Sequence, residues 1–324
     1  RELRHPNVIR LKGVHVAPKD RSVFLSYEYA SYDLQQVIKY HASLKKKIPE
    51  YTIKSLLWQI LSGLDYLHSN WVMHRDLKPS NVLILAEGTK GTSQGVVKIA
   101  DFGLARVFQV PLQPLKDNGV VVTLWYRAPE LLLGARHYSP AIDVWSAGCL
   151  FAELIRLRPL FHADQLKGSQ FQAKQMQRVV RVLGRPSVAR WPALAETPHW
   201  KHNAGGIQGF KPGSKKLESI LGLGKDSPAM RLLRRMLEYD PEKRITAAEA
   251  LQDPYFHACE PLPGANCFAA EPGATLSSLP YPSRTFLREP KAKVPGEQTA
   301  PAAPAAVGGG KQKRKRQQSL AAPA

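Results

Sequence analysis

Three short motifs in a fixed order constrain this chain more than any other feature. They are His74-Arg75-Asp76-Leu77-Lys78-Pro79-Ser80-Asn81, then Asp101-Phe102-Gly103 about twenty residues later, then Ala128-Pro129-Glu130. Any fold must bring Asp76, Asp101, Asn81 and Lys78 to the ends of regular elements. The apolar pattern supplies such elements. Ile53, Leu56, Leu57, Ile60, Leu61, Leu64 and Leu67 fall on one helical face, so a core-packed helix ends just before the first motif. Val82-Leu83-Ile84-Leu85 and Val96-Val97-Lys98-Ile99 read as two short strands joined by a loop over 87–95. Asn81 and Asp101 then sit at opposite ends of one hairpin, and loops flanking a hairpin can converge on one metal site. Gly88, Gly91 and Gly95 open no helix, so they read as a hairpin tip and not as a phosphate cradle. The stretch 141–154 is apolar nearly all round, the pattern of a buried central helix, and Thr246-Ala247-Ala248-Glu249 is a capping box.

In that order and with those residue types, the motifs resemble the catalytic apparatus of the protein kinases. The resemblance implies an α+β protein-kinase fold: a mostly helical C-terminal lobe, with only the end of the small N-terminal sheet lobe present. Phosphoryl transfer passes through a loose transition state, so the protein mainly positions groups and stabilises charge. By the resemblance, Asp76 accepts the proton of the substrate hydroxyl and Lys78 holds the transferred phosphate. Asn81 and Asp101 bind Mg2+ through hard oxygens, and Thr123 bonds to Asp76 and Lys78. Lys78 is typical of the serine/threonine class. His74 is expected to support Phe102 without reacting, Asp143 to anchor the backbone of the first motif, and Arg244 to pair with Glu130. Asp101 taken alone reads as a turn residue; its register with Asp76 and Asn81 favours the metal-ligand role.

The segment Val122-Thr123-Leu124-Trp125-Tyr126-Arg127-Ala128-Pro129-Glu130 resembles the cyclin-dependent and MAP kinase branch, in which Arg127 is associated with Pro after the phosphorylated residue. No Thr-x-Tyr pair lies between Asp101 and Glu130, which disfavours the MAP kinases. Ser69-Asn70-Trp71-Val72-Met73, Leu131-Leu132-Leu133-Gly134-Ala135-Arg136-His137-Tyr138 and Pro280-Tyr281-Pro282-Ser283-Arg284-Thr285-Phe286-Leu287 are similar to the cyclin C-dependent kinases of the Mediator complex. Phe102 is similar to the plant E-type class. The resemblance runs from Arg1 to about Leu287. It implies ATP and Mg2+ as cofactors, with Tyr27 as gatekeeper, the backbone of Glu28, Tyr29 and Ala30 on the base, Asp33 facing the ribose and Leu83 as pocket floor. Without the motif these residues read as a buried strand and a surface Asp. Implied partners are a cyclin C-like subunit, the Mediator kinase-module subunits and protein substrates with Ser-Pro or Thr-Pro sites, such as the RNA polymerase II C-terminal tail.

Arg1-Glu2-Leu3-Arg4-His5-Pro6-Asn7 resembles the end of the family's regulatory helix and the turn after it. The Gly-rich loop, the ATP-binding Lys and its Glu are therefore expected upstream of Arg1, Glu2 falling about two helical turns too late. The chain reads as an incomplete gene model or fragment, itself expected to be inactive. The alternative is a catalytically inactive, truncated kinase fold that acts as an interaction module. The expected organisation is 1–30 as the small-lobe remnant and hinge, 31–287 as the large lobe and 288–324 as a disordered Ala/Pro/Gly-rich tail. In that tail Lys311, Lys313, Arg314, Lys315 and Arg316 read as a nuclear-import signal or a nucleic-acid contact, and the nuclear family favours import.

The formal charge of +20 exceeds what this run supplies, so Lys45 to Lys47, Arg178, Arg181, Arg185 and Arg190 must decorate the folded part and attract acidic partners. Cys149, Cys259 and Cys267, odd in number and without metal spacing, fit a reducing compartment. No apolar run reaches the length of a membrane span, so no membrane partner is expected. Activation by a phosphothreonine gathered by Arg75 and Arg106 is not expected, because the family's register for that residue falls near Asn118, beside Asp117. An acidic group in that basic pocket would replace it; the plainer reading has both arginines serving backbone carbonyls.

Overall fold

Tight packing begins where the apolar residues take up regular spacing, and the first two strands do not have it. The computed structural model describes residues 3–19, 21–85, 94–108, 123–137, 139–164, 171–269 and 281, with backbone alone at 202–205. Strands β1 (Leu11–Ala17) and β2 (Ser22–Tyr27) pair antiparallel, Leu11 opposite Tyr27. Their Val14, Val16, Val23, Phe24 and Leu25 are all exposed. The later strands are short: β3 (Tyr32–Asp33), β4 (Val72–Met73), β5 (Val82–Ile84), β6 (Val97–Ile99) and β7 (Arg106–Val107). They form a sheet in the order β3-β5-β6 and a separate antiparallel pair, β4 with β7.

The helices are α1 (Leu34–Ser43), α2 (Glu50–Ser69), α3 (Pro129–Leu132), α4 (Ala141–Arg156), α5 (Ala173–Leu183), α6 (Pro198–Gln208), α7 (Leu217–Leu221), α8 (Pro228–Met236), α9 (Ala247–Leu251) and α10 (Pro254–His257). In α2 the expected face is buried: Leu56, Leu57, Ile60, Leu61, Leu64 and Leu67 are inaccessible to solvent and Ile53 is 8% exposed. Each such side chain contributes about 1.5–3 kcal/mol relative to exposure. Glu50 lies in its first turn and His68 in its last, each at the end where its charge suits the helix dipole. Gly63 lets the chain near Asn7 approach α2, since a Cβ there would stand 2.9 Å from the Asn7 carbonyl oxygen and 2.8 Å from Ile99 Cδ1.

That approach is locked by polar groups. Gln59 Oε1 accepts from Asn7 Nδ2 (3.0 Å) and from the Val97 N–H (2.8 Å), while Asn7 Nδ2 also donates to the Val97 carbonyl (3.0 Å). Ile99 N donates to Asn7 O and Ile9 N to Ile99 O, so residues 7–9 run parallel to β6. Helix α4 is buried almost all round, as its composition predicts, and packs on α2. Thr246 and Glu249 close the capping box in front of α9, the Glu249 N–H donating to Thr246 Oγ1 (3.1 Å) and the Thr246 N–H to Glu249 Oε2 (2.9 Å). Glu130 and Arg244 form a buried two-pronged pair at 2.7 and 3.0 Å, with Arg244 over the Trp145 ring. Tyr281 packs against Tyr32, Tyr40, His41 and Phe268, and its hydroxyl meets His41 Nε2 at 3.0 Å.

One expectation is corrected. Asn81 and Asp101 are at opposite ends of the hairpin along the sequence but not in space: Val82 pairs with Ile99, and Ala100 N donates to Asn81 O (2.9 Å). Antiparallel pairing returns the chain to its starting edge, so both residues lie at the same end. The strands are also each one residue shorter than the apolar runs, although Leu85 N still bonds to Val96 O. The loop over 86–93, residues 117 and 118 and the tail from 282 lie outside the described residues. Among the described residues no helix is long and apolar enough to cross a membrane.

Candidate active site

One carboxylate shapes the loop that follows β4. Asp143, in the first turn of α4 and fully buried, accepts from the N–H groups of His74 and Arg75 (both 2.8 Å) and meets His68 Nε2 at 3.0 Å. Burial pushes its carboxyl up, but the His68 hydrogen bond and charge, the His74 charge and the Arg75 amide outweigh it and hold it below its ordinary value. Arg75 has φ of 71°, a left-handed conformation that costs about 1–2 kcal/mol in an L-residue. The charge-assisted bonds to Asp143 hold it there. His74 Nε2 faces the Ala100 carbonyl (2.9 Å) and Nδ1 faces the Asp76 N–H (3.3 Å). Its ring meets Phe102 edge-on at 5.3 Å, the support expected of it.

The loop delivers Asp76 to the edge where the hairpin begins. Lys78 Nζ donates to Asp76 Oδ2 at 2.6 Å, and Asn81 Nδ2 donates to the Asp76 carbonyl (2.8 Å) and to Oδ2 (3.2 Å). Asp76 Oδ1 has no hydrogen bond among the described residues. Asp101 has φ of 68° and ψ of 74°, and its Oδ1 accepts a long bond from Gly103 N (3.3 Å). Asn81 spends its amide nitrogen on Asp76, which leaves its carbonyl oxygen as an acceptor that Ser80 Oγ approaches at 3.5 Å. Asp101, exposed, offers Oδ2 at the same end of the hairpin. Two hard oxygen donors from two loops suit a Mg2+ ion that keeps part of its water shell.

Of the residues expected around a nucleotide, Ala30 and Leu83 fall in one apolar cluster, to which Tyr27, Tyr29 and Asp33 do not belong. Ala30, Leu83, Leu85, Ile9 and Ala100 form a small apolar cluster of their own, against which Val96 and Phe102 pack. Tyr27, with Ile9 and Phe102, lines a cavity of about 470 Å³. Glu28 N donates to Arg10 O (3.1 Å), and its carboxylate takes Lys98 Nζ (2.9 Å) and the Arg10 N–H (2.9 Å). Tyr29 is exposed. Asp33 is buried as the cap of α1, its Oδ1 accepting from Gln36 N at 2.8 Å.

Thr123 departs from expectation: it makes no hydrogen bond to Asp76 or Lys78. Thr123 only shares a cavity of about 20 Å³ with Asp76, Arg75 and Arg127. The segment after it is firmly seated. Tyr126 donates to Glu153 Oε2 (2.7 Å), Ser146 Oγ to the Tyr126 carbonyl (2.8 Å), and Trp125 Nε1 to Ala163 O (2.8 Å). Arg75 Nη1 donates to Leu104 O and Arg106 Nη1 to Ala105 O. The Lys98–Glu28 pair was not foreseen; its signal was a lysine in an otherwise apolar strand, on the face opposite Val97 and Ile99.

Comparison with known proteins bears on this arrangement. Residues 1–256 match the family described as Protein kinase domain. The chain is 50% identical over 287 residues to Cyclin-dependent kinase E-1 of Arabidopsis thaliana, covering 88% of this chain and 60% of that protein. It is 46% identical over 294 residues to a Dictyostelium discoideum protein named Probable cyclin-dependent kinase 8, covering 90% and 73%. Against Cyclin-dependent kinase 8 of Drosophila melanogaster it is 46% identical over 307 residues, covering 89% and 64%. The chain thus spans between 60% and 73% of the length of these relatives.

Proposed function

The chain belongs to the protein kinase family, within the cyclin-dependent kinase 8 type, and on that premise we propose that it carries the phosphotransfer site of a proline-directed serine/threonine kinase. That kinase acts in transcription through the Mediator kinase module, in the nucleus, with a cyclin C-like subunit as partner and Ser-Pro or Thr-Pro proteins as substrates. Residues 1–30 are the end of its small lobe, 31–287 its large lobe and 288–324 its basic tail, the tail's lysines and arginines serving import.

The observation that carries this reading is the disposition of Asp76. Lys78 and Asn81 hold one carboxylate oxygen, while Oδ1 is left to accept the proton of a substrate hydroxyl as it attacks phosphorus. Lys78, already beside Asp76, is placed to meet the phosphate in transfer as a point charge. Asn81 and Asp101 are the residues that would hold Mg2+, which neutralises phosphate oxygens when bound. Tyr27, Ala30 and Leu83 bound the adenine position, with the Glu28 to Ala30 backbone on the base and Asp33 toward the ribose. Arg127, on the segment fixed by Tyr126 and Trp125, sets the preference for Pro.

The test is the full-length kinase assembled with its cyclin. Asp76→Asn should lower turnover on a Ser-Pro peptide about a hundred- to ten-thousand-fold. Near-normal turnover would remove Asp76 from its role, and equal use of Ser-Ala and Ser-Pro peptides by the unaltered enzyme would remove the proline preference.

A further inference from the structure

Four arginines gather where α4 ends and α5 passes. Arg156 closes α4, Arg158 follows across the left-handed Leu157 (φ 60°), and Arg178 and Arg181 stand one turn apart on α5. They act on one another: Arg158 and Arg178 on Arg156, Arg181 and Arg158 on Arg178. Burial first, and then these like charges, push Arg156 down to about 10 and Arg178 below its ordinary value. Arg156 Nε and Nη1 and Arg178 Nε are buried without a hydrogen-bond partner. Buried donors left unpaired are costly, and a fold that keeps three on adjacent guanidinium groups is short of an acceptor.

Among the described residues no acceptor meets these donors, and Gln175 Oε1, one turn before Arg178 on α5, is itself buried without a partner. From 154 to 195 the sequence holds one acidic residue, Asp164, against eight Lys and Arg. The nearby Glu153 accepts from the Tyr126 hydroxyl, and burial pushes its carboxyl up to about 7. What fits is a compact dianion with several acceptor oxygens and a shape that matches guanidinium forks, which describes a phosphate monoester. Arg158 and Arg181 are exposed and Arg156 and Arg178 half-buried, so the site is open on one side. It also adjoins the substrate-facing segment, since Glu153, one turn from Arg156, holds Tyr126, and Ala163 beyond Arg158 holds Trp125.

We infer that this cluster docks a phosphoserine or phosphothreonine of a peptide, with Arg156 and Arg178 as the buried forks and Arg158 and Arg181 closing from the rim. The inference rests on the kinase reading for its ligand: a protein already phosphorylated at one site is held for transfer at another. A compact cluster of guanidinium forks suits a single phosphate better than an RNA strand.

Binding without turnover tests it, so an inactive site would not obscure the result. Fluorescence anisotropy of the 324-residue chain is followed with a labelled Ser-Pro repeat peptide, with and without one phosphoserine. The phosphorylated form should bind about tenfold tighter or more, and Asp76→Asn should leave that preference unchanged. R156Q/R178Q should reduce it below about twofold, and R158Q/R181Q, confined to exposed side chains, should weaken it about threefold at an unchanged melting temperature. Equal binding of both peptides, or a preference that survives both double variants, overturns the inference. Displacement of the peptide by inorganic phosphate or a short RNA at comparable concentration also overturns it, in favour of a free-anion or nucleic-acid site.

Discussion

Replacing Asp143 by Asn tests whether one buried carboxylate holds the catalytic loop in its left-handed turn. Its two oxygens accept from the His74 N–H, the Arg75 N–H and His68 Nε2, at 2.8, 2.8 and 3.0 Å. A carboxamide of the same shape keeps one acceptor and turns an N–H2 group toward a donor. At least one buried amide is left unpaired, which costs about 1–3 kcal/mol, and the surviving bonds lose their charge assistance, for about 2–4 kcal/mol in all. At about 2–4 °C per kcal/mol for a domain of this size, the melting temperature should fall by about 4–16 °C at neutral pH. The loss should depend on pH. The carboxyl is held below its ordinary value in the fold, so its contribution is present above the unfolded value and disappears as pH falls through the folded one. The gap between the two proteins should therefore be widest near neutrality and close in acid below about pH 4. Denaturant melts across that range, with circular dichroism as the signal, decide the matter. A variant as stable as the parent at pH 7, or a gap that does not narrow in acid, would refute the reasoning.

Glu153→Gln should behave in the opposite sense. Burial raises the Glu153 carboxyl to about 7, so its contribution is complete below its unfolded value and is lost as pH rises through 7. Above pH 8 the Gln variant should be the more stable by up to about 3 kcal/mol, with little difference below pH 5, and equal denaturation midpoints at pH 9 would contradict this. Arg244→Met should cost about 3–5 kcal/mol by stranding the buried Glu130 carboxylate, and E130Q/R244M should cost measurably less than that single change. A double variant worse than the sum of its parts would argue against the pair as the cause.

The elements legible in the sequence were those set by local periodicity. Helices α2 and α4 announced themselves through apolar spacing, and the Thr246–Glu249 box through two residues three apart. Family resemblance supplied the His74–Phe102, Asp143 and Glu130–Arg244 contacts, which no spacing rule joins across such separations. Phe102 also pointed toward the plant class, and the Arabidopsis thaliana protein is among the similar relatives. What stayed hidden depends on packing at a distance. The use of Asp33 as a helix cap follows from where α1 starts. Arg178 and Arg181 were visible as charge, but only the end of α4 adds Arg156 and Arg158 to them.

The Glu28–Lys98 pair has a mechanical meaning. Residues 7–9 are bolted to β6 and α2, and two backbone-directed bonds between Arg10 and Glu28 close the base of the β1–β2 ribbon. The ribbon is thus a cantilever clamped at one end, with Glu28 at its fulcrum. A torque on its exposed strands is resisted there, and Lys98 transmits the reaction force into β6, three residues ahead of Asp101. Load on the ribbon is therefore passed toward Asp101, along a path of one ion pair and one strand.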